Sequence, residues 1–305
     1  MHEPTIEVRG LTKKYGPVTA VDDLTFTVPA GTVTALLGRN GAGKSTTLRM
    51  LLGLDQPTIG TAVIGGRPYA DLPFPLRTVG ALLDSSAAHP GRTARQHLRW
   101  LAASNSIGDG RIREVLELVG LSHVAHHRVN GFSLGMRQRL GMAAALLGDP
   151  QVLLLDEPVN GLDAEGIRWL RAFLRELADQ GRTVLVSSHL MGEVERTVHH
   201  VLVLGAGRLL ADMPLSDFVA EHAGIQVRVR TSRTRHLRDV LSAAGAAVTE
   251  EDGGLRASGM DAERIGALAA QHGVPLTELS TATHSLEDAF LELTDPAIER
   301  KGRVA

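Results

Sequence analysis

A glycine-rich segment that ends in a lysine and two hydroxyl residues carries the most specific chemistry in this chain. Residues 38–46 read Gly-Arg-Asn-Gly-Ala-Gly-Lys-Ser-Thr and directly follow the apolar run 33–37. The backbone N–H groups of such a loop converge on phosphate oxygens, its lysine reaches the β- and γ-phosphates, and its first hydroxyl can bind Mg²⁺. The segment therefore predicts a site for ATP or GTP rather than a plain turn between strand and helix. The predicted nucleotide ligands are Gly38, Asn40, Gly41, Ala42, Gly43, Lys44, Ser45 and Thr46, with Ser45 also a metal ligand.

Two adjacent acids follow a second apolar run. The four apolar residues 152–155 suit a strand that is buried on both faces of a parallel sheet, and Asp156 and Glu157 come next. Open α/β sheets bind their ligands at this end of the strands. Asp156 is the predicted Mg²⁺ ligand, and Glu157 is the predicted group that polarises the attacking water. An isolated acidic pair would indicate only a solvated strand end, but the phosphate loop upstream favours catalysis.

Between these two segments, residues 132–140 read Phe-Ser-Leu-Gly-Met-Arg-Gln-Arg-Leu. This stretch resembles the signature loop of the ATP-binding-cassette (ABC) ATPases, which usually reads L-S-G-G-Q before a basic residue, Gln and Arg. The resemblance implies that Ser133 and Gly135, at the start of a helix, form a second anion site for the γ-phosphate held by an opposite subunit. Taken alone, the string would indicate an ordinary serine-capped helix.

Three further segments follow the order of motifs in that family. Residues 160–163 resemble the D-loop, and His189, after the strand 183–186, resembles the switch histidine that contacts the γ-phosphate. Tyr15, within Lys-Lys-Tyr-Gly at 13–16, resembles the aromatic residue that stacks on adenine. An exposed tyrosine at a strand end is the alternative interpretation of Tyr15.

One position departs from the family pattern. ABC ATPases normally carry a glutamine, a ligand of Mg²⁺ and water, where a strand leaves the sheet for the helical subdomain, and this chain has Asp84 there. A carboxylate can bind Mg²⁺ directly or through water, yet it is shorter and charged. Asp84 is therefore a candidate metal ligand, with the loss of that role as the open alternative.

Composition restricts the class of protein. The 305 residues are 43% apolar, the formal net charge is −2, and there are no cysteines. The length and apolar content favour one large domain with a small appendage. The net charge shows no overall basic excess that would indicate a nucleic-acid-binding protein. The lack of cysteines excludes disulfides and thiolate metal sites. No run of 18 apolar residues and no export signal are seen, so we expect a cytoplasmic protein. The clustered histidines at 123, 126 and 127 are interpreted as solvated surface rather than a metal site.

The predicted fold is an α/β ABC cassette of the phosphate-loop NTPase class over residues 1–213. Strands near 5–8, 24–28 and 61–64 form an antiparallel layer, and a helical subdomain is inserted at about 73–135. A linker helix at 214–223 leads to an α+β appendage at 224–305. In it, the arginines between 228 and 238 are interpreted as alternate positions on the exposed face of a strand, with contact to anionic lipid or nucleic acid as the alternative.

The resemblance is strongest to the exporter ATPases of the bacitracin- and lantibiotic-resistance type, with a looser likeness to the daunorubicin-resistance type. It implies a homodimer that holds ATP and Mg²⁺ in a head-to-tail sandwich on the inner face of the cell membrane. Separate membrane permease subunits would export a drug, antibiotic or lantibiotic-like substrate, with export of lipid, glycan or sodium as the open alternatives, and no nucleic-acid partner is expected. The alternatives are a soluble ABC ATPase that acts on ribosomes or DNA, and a nucleotide-binding regulator without hydrolysis.

Overall fold

A computed structural model describes residues 4–84, 86–189, 197–222, 224–251, 254–284 and 286–294. The chain divides into two compact units. One unit comprises Met1–Leu215 together with Thr294–Ala305, and the other comprises Ser216–Leu293.

The first unit is built on a six-stranded sheet with the order β5-β6-β7-β3-β8-β9. Its first five strands in that order are parallel, and β9 runs antiparallel to β8. Every residue of β3, β6 and β7 is buried, as expected for apolar strands with both faces covered. The strands are β3 (Val33–Gly38), β5 (Val79–Leu82), β6 (Val152–Leu155), β7 (Thr183–Ser188), β8 (His200–Gly205) and β9 (Arg208–Pro214).

A three-stranded antiparallel sheet forms a second layer and confirms the predicted one. It comprises β1 (Pro4–Tyr15), β2 (Val18–Pro29) and β4 (Ile59–Ile64) in the order β2-β1-β4. Apolar residues on one face of β1 and β2 share a core cluster with Leu48 and Leu51 of the first helix, α1 (Lys44–Leu51). This packing fixes the helix that follows the phosphate loop.

Most of the helices between residues 73 and 145 are short. They are α2 (Pro75–Thr78), α3 (Ala94–Ala103), α4 (Asp109–Leu118) and α5 (Leu134–Ala145), and α6 (Ala164–Asp179) follows β6. A capping box between Thr93 and Gln96 begins α3, and the side chains of Ser133 and Asp163 cap α5 and α6. No helix within the described residues is long and apolar enough to cross a membrane.

The second unit contains a four-stranded antiparallel sheet in the order β11-β12-β10-β13. Two helices connect its strands in the sequence βαββαβ, which is the ferredoxin-like arrangement. Their apolar faces share a core cluster with Val227, Val229, Leu255 and Ala257 of the sheet. The elements are α7 (Leu215–His222), which enters the unit, then β10 (Gly224–Thr231), α8 (Thr234–Ala243), β11 (Ala247–Glu251), β12 (Gly254–Ser258), α9 (Ala262–Gln271), β13 (Leu276–His284) and α10 (Leu286–Leu293).

The prediction that the arginines of this unit share one strand was wrong for most of them. Arg228 and Arg230 lie on β10, whereas Arg235 and Arg238 lie on α8. The strand ends at Thr231, whose hydroxyl accepts a hydrogen bond from the backbone N–H of Arg233 and so turns the chain into the helix.

Candidate nucleotide-binding and hydrolysis site

The phosphate loop joins the buried strand β3 to α1 in a space that admits only glycine at two positions. A Cβ atom on Gly38 would lie 2.8 Å from the Cβ of Ala42, and one on Gly43 would lie 2.7 Å from the carbonyl oxygen of Ala20. Gly43 also has a φ of +102°, a conformation that side chains disfavour. The sequence therefore builds a tight loop at the N-terminus of a helix, which is the arrangement that binds phosphate.

The predicted nucleotide ligands of the loop differ in exposure. Asn40, Gly41 and Ala42 line a cavity of about 180 Å³, Ser45 is exposed, and Thr46 is half-buried. Ser45 thus presents its hydroxyl at the start of α1.

Lys44 lies inside this loop and contacts the acidic end of β6. Its Nζ atom donates a hydrogen bond to the carbonyl oxygen of Gly38 at 2.7 Å and lies 3.1 Å from Oε1 of Glu157. The lysine side chain is 6% exposed, so its charge is held within the protein rather than in solvent. The structure thereby brings together two residues that are 113 positions apart in sequence, 44 and 157.

The ends of β6 and β7 arrange the two acids and the histidine. The hydroxyl of Ser187 donates to Oδ1 of Asp156 at 2.5 Å and accepts from the backbone N–H of Glu157 at 2.9 Å. Nδ1 of His189 lies 2.8 Å from Oε2 of Glu157. Lys44, Asp156, Glu157 and His189 thus form one cluster.

Ser187 bridges two members of this cluster, and the sequence motifs predicted no role for it. The available signal is that β6 and β7 are parallel neighbours in which Leu155 pairs with Val186. A hydroxyl one residue further along β7 is therefore level with Asp156. Without knowledge of which strands are neighbours, that relation is not visible in the sequence.

Asp84 lies near the same edge of the central sheet, two residues after β5. The backbone N–H of Asp156 donates to the carbonyl oxygen of Leu82 at 2.7 Å, which places the ends of β5 and β6 side by side. The Asp84 side chain is exposed, and its Oδ1 accepts from both the backbone N–H and the hydroxyl of Ser86 at 2.7 Å.

Tyr15 lies at the end of β1, and its side chain is 46% exposed. Its hydroxyl donates to Oδ2 of Asp55 at 2.9 Å, and Nζ of Lys13 lies 4.9 Å from the centre of its ring. Partial loss of solvent and the hydrogen bond to Asp55 raise the pKa of the Tyr15 hydroxyl above its usual value. The hydroxyl end of the Tyr15 ring is therefore held by Asp55.

Ser133 and Gly135 line a different cavity, of about 450 Å³. The Ser133 hydroxyl accepts from the backbone N–H of Met136 at 3.2 Å, which places it at the start of α5. Gly161 and Asp163 line the same cavity, and Nε2 of Gln138 donates to the carbonyl oxygen of Asn160 at 3.0 Å. The described lining of this cavity includes no residue of the phosphate loop.

Comparisons with known proteins identify the family of this chain. The ABC transporter family model matches residues 21–160, and a model of a domain of unknown function, DUF8746, matches residues 225–287. The bacitracin transport ATP-binding protein BcrA of Bacillus licheniformis is 35% identical over 308 residues, which span 94% of this chain and 96% of that protein.

Two further comparisons extend the result. The lantibiotic transport ATP-binding protein SrtF of Streptococcus pyogenes is 33% identical over 68% of this chain and 90% of its own length. A solved structure described as a dimeric bacterial ABC transporter cassette matches with a TM-score of 0.64 and 25% identity, covering 69% of this chain and 98% of that one. This chain belongs to the family of ATP-binding subunits of ABC transporters, and it is an ATPase.

Proposed function

We propose that this chain powers an ABC exporter by hydrolysing ATP at the cluster of Lys44, Asp156, Glu157 and His189. The observation that supports this most directly is the carboxylate of Glu157, which lies 3.1 Å from Lys44 Nζ and 2.8 Å from His189 Nδ1. In this proposal Glu157 accepts the proton of the attacking water, and His189 orients that carboxylate and contacts the γ-phosphate. Lys44 supplies positive charge to the β- and γ-phosphates.

The residues around the phosphate loop fit Mg²⁺. Mg²⁺ is usually bound in such sites by one or two carboxylates together with substrate phosphates, and it prefers oxygen ligands. The carboxylate of Asp156 and the exposed hydroxyl of Ser45 are the oxygens proposed to hold it, with Asp84 as a further candidate. When bound, Mg²⁺ neutralises charge on the phosphates.

Replacing Glu157 with glutamine tests the assignment of the base. Glu157→Gln keeps the shape of the side chain but removes the proton acceptor. We expect ATP to bind and turnover to fall by a factor that corresponds to about 2–4 kcal/mol or more. Glu176→Gln, at an exposed position further along α6, is the matched control and should hydrolyse normally. Near-normal turnover of Glu157→Gln would refute the assignment.

The signature loop supports a proposed homodimer. Ser133 and Gly135 line a cavity apart from the phosphate loop of their own chain, so we assign them to the nucleotide held by the opposite chain. Two head-to-tail copies then enclose two ATP molecules, and hydrolysis opens the pair.

The membrane partner and the transported molecule are proposed from the relatives. Because the relatives are named for transport of bacitracin and of a lantibiotic, we assign this chain to export of an antibiotic or a related molecule through separate permease subunits. It would then act on the cytoplasmic face of the membrane, with the unit Ser216–Leu293 as an accessory domain. The alternative of an ATPase acting on ribosomes or DNA has no support among these relatives.

Affinity purification tests the partner. Tagged Glu157→Gln protein is isolated with ATP from gently solubilised membranes. We expect a polytopic membrane protein to co-purify, and recovery with ribosomes or DNA from the soluble fraction would contradict the exporter assignment.

A further inference from the structure

The aromatic ring of Tyr15 is tied to the helix that follows the phosphate loop. Tyr15 ends β1 and precedes a tight turn that leads to Val18, with which it pairs. An exposed ring at such a position is free to change rotamer, and ordering it on binding a nucleotide would cost affinity. A contact that holds the ring beforehand removes part of that cost.

Asp55 provides the first contact. It accepts the Tyr15 hydroxyl at 2.9 Å, and it also accepts from Nε of Arg49 at 2.7 Å and from Nη2 of the same arginine at 3.3 Å. Arg49 lies in the last turn of α1, the helix that begins at Lys44. The hydrogen bond from Arg49 keeps the pKa of the Asp55 carboxyl below its usual value, because the guanidinium favours the charged form of the acid.

The loop that carries Asp55 also makes hydrogen bonds to β1, at the two residues that precede Tyr15. Nζ of Lys13 donates to the carbonyl oxygen of Gln56 at 2.6 Å, and the backbone N–H of Lys14 donates to the hydroxyl of Thr58 at 3.0 Å. Lys13 lies over the Tyr15 ring at 4.9 Å from its centre. One face of the ring therefore carries a cation, and a base would stack on the other face.

We infer that Asp55 and Arg49 are positioning residues for nucleotide binding, because they fix the ring of Tyr15 at a set place relative to the phosphate loop. This inference rests on the proposed stacking role of Tyr15. The ring and the phosphate loop are then held by the same helix, which sets the distance between the base and the phosphates.

Stability alone does not account for this arrangement. Arg49 is about half exposed, and ion pairs at such positions contribute little to folding. A role limited to stability would change the melting temperature, whereas a positioning role changes the affinity for ATP. The two roles are therefore separable by measurement.

The experiment measures KM and kcat for ATP, and inhibition by inorganic tripolyphosphate, in the full-length chain. Tyr15→Phe keeps the ring and removes the hydroxyl, and Asp55→Ala removes the acceptor. We expect each to raise KM about three- to tenfold, the size of the net contribution of one ordinary hydrogen bond, with little change in kcat. Inhibition by tripolyphosphate should not change, because it has no base. The double variant Tyr15→Phe/Asp55→Ala should have a KM no higher than that of either single variant, because both changes remove the same hydrogen bond.

The variant Tyr15→Ala distinguishes a failure of the stacking role from a failure of the positioning inference. Tyr15→Ala removes the ring itself, so an unchanged KM in this variant would refute the stacking role in the proposed function. If Tyr15→Ala raises KM but Tyr15→Phe and Asp55→Ala do not, the stacking role stands and the positioning inference is overturned. A raised inhibition constant for tripolyphosphate in Asp55→Ala would also overturn it, since α1 would then be disturbed as a whole. Glu7→Ala, which breaks another ion pair on β1, is the matched control.

Discussion

Glu157 holds a backbone conformation that is unusual for a residue with a side chain. Its φ is +46°, and such strain is commonly retained where the surrounding structure determines it. Here the surrounding group is Ser187, which accepts the backbone N–H of Glu157 and donates to Asp156. One hydroxyl thus holds both the Glu157 backbone and the Asp156 carboxylate, whereas Lys44 and His189 contact the Glu157 carboxylate itself.

Removing the Ser187 hydroxyl should reduce the rate of ATP turnover more than it reduces the affinity for ATP. Ser187→Ala leaves the backbone N–H of Glu157 and the carboxylate of Asp156 without this partner. We expect kcat to fall about tenfold, consistent with the loss of one or two hydrogen bonds, and KM to change less. Steady-state kinetics on purified protein checks this, with Ser104→Ala at an exposed position as the control. If the kcat of Ser187→Ala stays within about twofold of the original, as that of the control should, the hydroxyl is not needed for turnover.

Asp84 offers a prediction about coupling to the membrane partner. Its Oδ1 is held by Ser86, so its carboxylate has a fixed direction near the ends of β5 and β6. We expect Asp84→Ala to weaken the coupling of hydrolysis to transport more than it weakens ATP binding. The measurement is the ratio of transported substrate to hydrolysed ATP in the reconstituted transporter, and an unchanged ratio would contradict the prediction.

At the residue scale, the sequence predicts those parts of the proposed site that consist of adjacent residues. The phosphate loop, the acidic pair and the signature loop are each contiguous, so their residue types and spacing are visible directly. The contacts of Ser187 and Asp55 depend on the register of parallel strands and on a loop that returns to β1. Those relations depend on the folded chain and could not be predicted from local pattern.

Among the elements, α5 and β5 approach closely because of a glycine. A Cβ atom on Gly80 of β5 would overlap the carbonyl oxygen of Ala145 at the end of α5. We expect Gly80→Ala to lower the free energy of unfolding by about 1–3 kcal/mol, the usual cost of overpacking. Urea denaturation checks this. Gly110→Ala, on α4 with open space around it, is the control and should be neutral or slightly stabilising.

The helix α3 contains a buried histidine that should make stability depend on pH. His97 is 8% exposed, and its Nδ1 atom has no hydrogen-bond partner among the described residues. Burial, together with the charge of Arg92, lowers the pKa of His97 below its usual value of 6.5. The folded state therefore binds fewer protons than the unfolded state just below that pH, so stability is lost as the pH falls through about 6.5.

Urea unfolding at pH 7.5 and pH 5.5 tests this dependence. The contribution of one such histidine has a slope of at most about 1.4 kcal/mol per pH unit. His97→Leu should reduce the loss of stability at the lower pH, whereas His126→Leu, at an exposed position, should not. An identical pH dependence in His97→Leu and the original chain would exclude His97 as its source.

The elements were more predictable than their order in space. Alternating and continuous apolar patterns indicated the antiparallel layer and the buried strands, and both are present. The arginines at 233–238 were assigned to a strand because their spacing resembles alternation, and the turn made by Thr231 was not recognised. The neighbours β3 and β7 are separated by about 150 residues, and no local pattern encodes that pairing.

At the scale of the whole molecule, the proposed site needs two chains. The phosphate loop and the signature loop line separate cavities. A Cβ atom on Gly135 would have no neighbour closer than 3.6 Å, so there is room for a Cβ atom at this position within its own chain. Gly135→Asp places a negative charge in the proposed anion site, and in a chain that keeps its melting temperature it should abolish hydrolysis only if a phosphate from another chain binds there.

Co-expression of two inactive chains tests the head-to-tail arrangement. Lys44→Ala removes the phosphate-loop lysine but keeps the signature loop, and Gly135→Asp does the reverse. In a mixed dimer, one site combines the intact loop of each chain, so the mixture should recover about a quarter of the original activity by random two-fold pairing. A mixture of Lys44→Ala with a chain that carries both Lys44→Ala and Gly135→Asp contains no intact site and is the control. If the first mixture hydrolyses no more ATP than this control, both loops act within one chain and the sandwich is refuted.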